Sequence, residues 1–113
     1  MKFFEFLDLL NSDKEAWRIE LGREKINFFF LFLTLREFKI VFHFRLCQFL
    51  RTKKVLFPIY CMERFLYRYI SLKNGCDIPS RTRIGGGFVI HHCTGVVING
   101  KTEIGKNLVI RGG

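Results

Sequence analysis

The stretch Cys76-Asp77-Ile78-Pro79-Ser80-Arg81-Thr82-Arg83-Ile84-Gly85-Gly86-Gly87-Phe88-Val89-Ile90-His91-His92-Cys93-Thr94-Gly95-Val96-Val97-Ile98-Asn99-Gly100-Lys101-Thr102-Glu103-Ile104-Gly105-Lys106-Asn107-Leu108-Val109-Ile110-Arg111-Gly112-Gly113 decides the fold. Aliphatic residues recur at every sixth position, at Ile78, Ile84, Ile90 and Val96. After a two-residue offset the period resumes at Ile98, Ile104 and Ile110. Glycine follows the aliphatic directly in Ile84-Gly85 and Ile104-Gly105, and small or polar residues fill much of the rest. This is the pattern of a hexapeptide-repeat β-helix. Each hexapeptide forms one face of a triangular coil, with the aliphatic side chain pointing inward onto its equivalent in the next coil. Glycine and small residues take the corners, where a Cβ or a negative φ would not fit. Three faces predict a coil of about 18 residues. A helix is excluded, because glycine is too frequent and the period is not 3.6. An antiparallel sheet would need strict alternation and hairpin turn pairs, of which Asn99-Gly100 is one instance.

Upstream the composition is different. Before Gly75 the chain is rich in Phe, Leu, Lys and Arg and contains one glycine, Gly22. Residues 1–75 therefore read as a basic, aromatic-rich helical region, and residues 76–113 as the first two coils of the β-helix. The helical region opens on an amphipathic stretch from Phe3 to Leu10. Ser12-Asp13-Lys14-Glu15 has the spacing of a capping box and predicts a helix start there. A long helical pattern follows from about Ile26 to Arg51. Its apolar run, Ile26 to Leu35, is half the roughly 20 residues needed to cross a bilayer. Pro58 is expected to break or open the next helix, which carries Tyr60, Phe65, Leu66, Tyr67 and Ile70.

The formal charge is +9, which points to an anionic partner: a nucleic acid, a membrane surface or a phosphorylated ligand. Between Arg36 and Lys73 the bases far outnumber the two acids Glu37 and Glu63. Helices that are both basic and aromatic either pack one face on a core or lie on an anionic membrane face. No nucleic-acid-binding motif accompanies the charge, so a nucleic-acid partner is not expected. Cys47, Cys61, Cys76 and Cys93 form no Cys-x-x-Cys pair, and their spacing is not that of a secreted disulfide scaffold. Acidic residues interrupt the opening Met1-Lys2-Phe3-Phe4-Glu5-Phe6-Leu7-Asp8, unlike a signal peptide. These features predict a cytoplasmic protein with free thiols, one that could sit at the inner face of the membrane.

Ile90-His91-His92-Cys93-Thr94-Gly95 is the segment richest in chemistry. Neighbouring side chains on a strand point to opposite faces, so His91 and His92 are not equivalent. Asp77 lies 15 residues before His92, a little less than one coil, so the two side chains could meet near one corner on adjacent coils. A carboxylate hydrogen-bonded to an imidazole fixes its tautomer and raises its basicity, as a general base requires. A histidine satisfied at a coil corner is the plain structural alternative. No zinc-module spacing supports a metal site, and nothing marks the Cys93 thiol as activated.

With these residues in view, the chain resembles the serine acetyltransferase family. The resemblance rests on Asp77-Ile78-Pro79, Ile84-Gly85-Gly86-Gly87-Phe88-Val89-Ile90, and His92-Cys93-Thr94-Gly95 followed by Val96-Val97-Ile98-Asn99. The close relatives include acetyltransferases of surface-polysaccharide pathways, such as colanic acid biosynthesis. The resemblance spans about Arg36 to Gly113 and is specific from Cys76 onward. It implies an α+β chain in which N-terminal α-helices precede a left-handed parallel β-helix, here incomplete at its C-terminus. It implies an O-acetyltransferase with acetyl-CoA as co-substrate and no metal, Asp77 and His92 as the catalytic pair, and a homotrimer in the complete enzyme. The coenzyme A contacts are expected beyond Gly113. In the serine enzymes an aspartate precedes the catalytic histidine and helps hold the serine ammonium; here His91 stands in that place, as a substrate-binding candidate. This favours a sugar hydroxyl over L-serine as acceptor. The alternative expectation is an inactive truncated remnant or a membrane-associated helical fragment.

Overall fold

A computed structural model of the protein describes residues 2–25, 27, 29–31, 36–91 and 95–111. Among them the order is α1 (Phe3–Glu20), α2 (Arg36–Arg51), a short 3-10 turn (Lys54–Leu56), α3 (Phe57–Lys73), and six short strands. These are β1 (Cys76–Asp77), β2 (Arg83–Ile84), β3 (Val89–His91), β4 (Val96–Val97), β5 (Glu103–Ile104) and β6 (Val109–Arg111). Residues 29–31 are also helical. No described helix is long and apolar enough to cross a membrane.

The strands pair β1–β4, β2–β5 and β3–β6, all parallel. The register is constant: Cys76 faces Val96, Ile84 faces Ile104 and Ile90 faces Ile110. Each pair is 20 residues apart, so the chain winds through two stacked coils of three faces. Parallel pairing throughout removes the antiparallel alternative. The coil length corrects the 18 expected from three hexapeptides. The two extra residues fall between Ile90 and Ile98, where eight positions replace six. The inward stacks are therefore Ile78 on Ile98, Ile84 on Ile104 and Ile90 on Ile110. Ile78, Ile84 and Ile90 are buried, while their second-coil equivalents are partly buried against the same core.

Backbone conformation repeats with the same step. Gly75 and Gly95 have φ of 76° and 82°, and Gly87 and Asn107 have 84° and 64°. Each is a corner where the chain must turn through the left-handed region, which glycine and asparagine enter most cheaply. Gly85 meets a different requirement: a Cβ there would lie 2.8 Å from the Gly105 backbone carbon one coil away.

The helices cap the first coil. A terminal coil presents a rim of backbone groups with no strand beside it, and such groups need partners when buried. Tyr67 of α3 donates to the Ile78 carbonyl, and Gln48 of α2 donates to Ser80 and Thr82 at 3.1 and 2.8 Å. Arg45 of α2 donates to Ile84 and Gly85 at 2.6 and 2.7 Å, and Trp17 of α1 donates to Phe88 at 3.1 Å. One hydrophobic cluster runs across both layers, from Trp17, Phe38 and Phe44 to Ile78, Phe88 and Ile90.

The expected helix start at Ser12 is not found. The α1 helix runs unbroken through Ser12-Asp13-Lys14-Glu15, and its buried face is Phe6, Leu10, Asp13 and Trp17. That four-three-four spacing holds one helical face against α2 and the coil, and burial of this face outweighs the local capping preference. Asp13, read from sequence as part of a cap, is fully buried and paired to Arg45. Pro58 does open a helix: it occupies the first turn of α3, where its missing N–H costs nothing.

Candidate active site

Asp77 closes β1, with Val97 as its partner in the second coil. Its carboxylate is half-buried, and Arg68 of α3 places a guanidinium nitrogen 3.6 Å from Oδ1. Its backbone carbonyl accepts from the Ile98 amide at 2.9 Å, which fixes the strand. The neighbouring Cys76 turns inward and is buried. The alternation of the strand thus puts the carboxylate on the outside of the coil, against the C-terminal half of α3.

His91 ends β3, opposite Arg111 in register. Its ring lies 5.8 Å from that of Trp17, and its Nε2 is 3.4 Å from Glu20 Oε1. Both contacts are to the last turns of α1, so the side chain addresses the helix layer. His92, with Cys93 and Thr94, lies outside the described residues. The flanks of that corner are described: Gly95 donates to the Gly75 carbonyl at 2.8 Å, bringing the chain back onto the first coil two residues before Asp77.

Elsewhere the polar interior is structural. Asp13 accepts from Arg45 at 2.8 and 3.1 Å and from the Gly87 and Phe88 amides at 3.0 and 2.8 Å. Burial pushes its carboxyl up, while Arg45 and the two amides pull it back. Burial, with Glu63 adding to it, pushes the Cys47 thiol up to about 12, which removes it as a nucleophile at neutral pH. Burial also raises the Tyr67 hydroxyl, so it keeps the proton it donates to Ile78. His43 is paired with Glu63 between α2 and α3. Among the described residues no group of three or more His, Cys, Asp or Glu is placed to hold a metal ion.

Sequence reasoning missed the Asp13–Arg45 pair and the cleft beside Asp77. For the pair the available signal was a carboxylate on the otherwise apolar Phe6-Leu10-Trp17 face of α1. For the cleft the arginines Arg51, Arg64, Arg68 and Arg81 are dispersed in sequence and converge through the fold.

Neither a protein-family model nor a curated protein matches the chain. Solved structures do match. Soybean serine acetyltransferase, as the apoenzyme, aligns at 24% identity with a TM-score of 0.67, over 94% of this chain and 41% of its own. Serine acetyltransferase from Brucella abortus strain S19 aligns at 21% identity with a TM-score of 0.68, over 95% and 42%. The Neisseria gonorrhoeae enzyme aligns at 21% identity with a TM-score of 0.71, over 97% and 41%. The chain thus spans about two-fifths of the length of these proteins, and over that span it shares the fold of serine acetyltransferases.

Proposed function

We propose that the chain belongs to the serine acetyltransferase type of O-acetyltransferase and takes part in transfer of an acetyl group from acetyl-CoA to a hydroxyl. The observation that carries this is the fold likeness over 94% or more of the chain, joined to the Asp77 and His91-His92 motifs on that fold. The coil is read as left-handed, with residues 1–75 as its helical cap and residues 76–113 as its first two coils. His92 is the general base: it takes the acceptor's proton, the oxygen attacks the thioester carbon, and the proton passes to the departing thiolate of coenzyme A. Asp77 orients the imidazole. A positioned base of this kind is worth about 10²–10⁴-fold.

His91 in place of an aspartate supports a sugar hydroxyl as acceptor, with L-serine as the rival. A homotrimer and a cytoplasmic setting belong to the same reading. Thiol release from acetyl-CoA, measured with sugars and with L-serine in turn, tests it. His92→Ala should lower turnover by about 10²-fold or more, and Asp77→Asn by less. Release that persists at the wild-type rate in His92→Ala would remove His92 as base. Release with L-serine alone would overturn the sugar preference.

A further inference from the structure

A cleft of about 310 Å³ opens between the end of α2, the outer side of α3 and the first corner of the coil. Four guanidinium side chains line it: Arg51 from α2, Arg64 and Arg68 from α3, and Arg81 from the corner. Tyr60, Tyr67, Pro79 and Ser80 complete the wall. Arginine stays charged under all ordinary conditions, so four of them around one hollow repel each other. Among the described residues the carboxylate placed near them is Asp77, 3.6 Å from Arg68. No described carboxylate pairs with Arg51, Arg64 or Arg81. Glu63, the single acid of α3, is buried and turned to His43, away from the cleft.

We infer that this cleft is a phosphoryl-binding site. Guanidinium forks match phosphate oxygens in pairs and gain most in a concave setting where water is partly excluded. The volume is at the lower end of the range of ligand pockets, suited to a phosphate or diphosphate group. Arg68 also lines a shallow apolar groove with Phe65, Tyr69 and Leu72. Met62 and Phe65 on the same helix are 75% and 77% exposed. The phosphoryl group can therefore come from a soluble ligand or from a lipid headgroup whose chains lie along α3. The inference stands apart from the transfer reaction, since binding alone is required.

Calorimetric titration of the protein with inorganic pyrophosphate tests it, alongside co-sedimentation with phosphatidylglycerol vesicles and with phosphatidylcholine vesicles. Wild type should bind pyrophosphate, with affinity falling as salt rises. The double variant Arg64→Gln/Arg81→Gln should lose about tenfold or more. Arg83→Gln, whose side chain is exposed 3.5 Å from Glu103, should bind as wild type. Binding to phosphatidylglycerol but not pyrophosphate, abolished in the double variant, would assign the site to a lipid headgroup. Pyrophosphate binding without vesicle binding would assign it to a soluble ligand. The site is overturned if neither probe binds wild type, if the double variant binds like wild type, or if Arg83→Gln weakens binding equally. Circular dichroism establishes that the double variant is folded; should it not be, the single variant Arg81→Gln gives the same reading.

Discussion

Asp13 and Arg45 are 0% and 1% exposed, and between them they satisfy two amides and two carbonyls at the Gly85-Gly86-Gly87 corner. Such a pair contributes little over an apolar pair of the same shape, but breaking it leaves one uncompensated charge in the core. Asp13→Ala is therefore expected to cost about 3–5 kcal/mol in urea unfolding. A loss no larger than that of an exposed substitution would mean that the pair does not hold the helix layer to the coil. The local pattern Ser-x-x-Glu gave no hint of this role. Capping boxes and buried carboxylates draw on the same residue types, and only the spacing from Phe6, Leu10 and Trp17 separates them. The sequence spacing put Asp77 and the histidine segment on adjacent coils, whereas Asp77 in β1 and His91 in β3 belong to the same 20-residue coil. That the two face α3 and α1 was not legible either, because the helices were not docked in sequence.

At the level of the element, the coil step is set where backbones touch. Gly85 lies against Gly105, where a Cβ would approach to 2.8 Å of backbone that has no flexible end to yield. Gly85→Ala should lower stability by about 1–3 kcal/mol, the usual cost of overpacking, read as a drop in melting temperature. An unchanged melting temperature would mean that the two coils can separate without loss. The hexapeptide period was readable because each face repeats one inward aliphatic. The 20-residue step was half-readable: the two-residue offset stood in the sequence, but the strand register was needed to show that it lengthens the coil. The helices were legible as helices from their composition. Their role as a cap was not, since the hydrogen bonds from Trp17, Arg45, Gln48 and Tyr67 run to carbonyls 11–71 residues away.

Across the whole molecule one cluster joins helices and coils, and Trp17, the single tryptophan, sits at their junction. Its fluorescence reports docking of α1 on β3, while far-ultraviolet circular dichroism reports secondary structure. A shared core predicts that the two signals change together during denaturant unfolding. Separate midpoints would show that the helical layer detaches before the coil melts. Asp77 and His91 lie on one coil, and direct transfer with His92 as base is the central chemical claim. The most direct test is incubation of the protein with acetyl-CoA carrying an isotope-labelled acetyl group and a sugar acceptor, followed by mass spectrometry of sugar and protein. Direct transfer predicts label as an ester on the sugar, none on the protein, and loss of the ester in His92→Ala. Label retained on the protein, or an ester formed equally by His92→Ala, would contradict it.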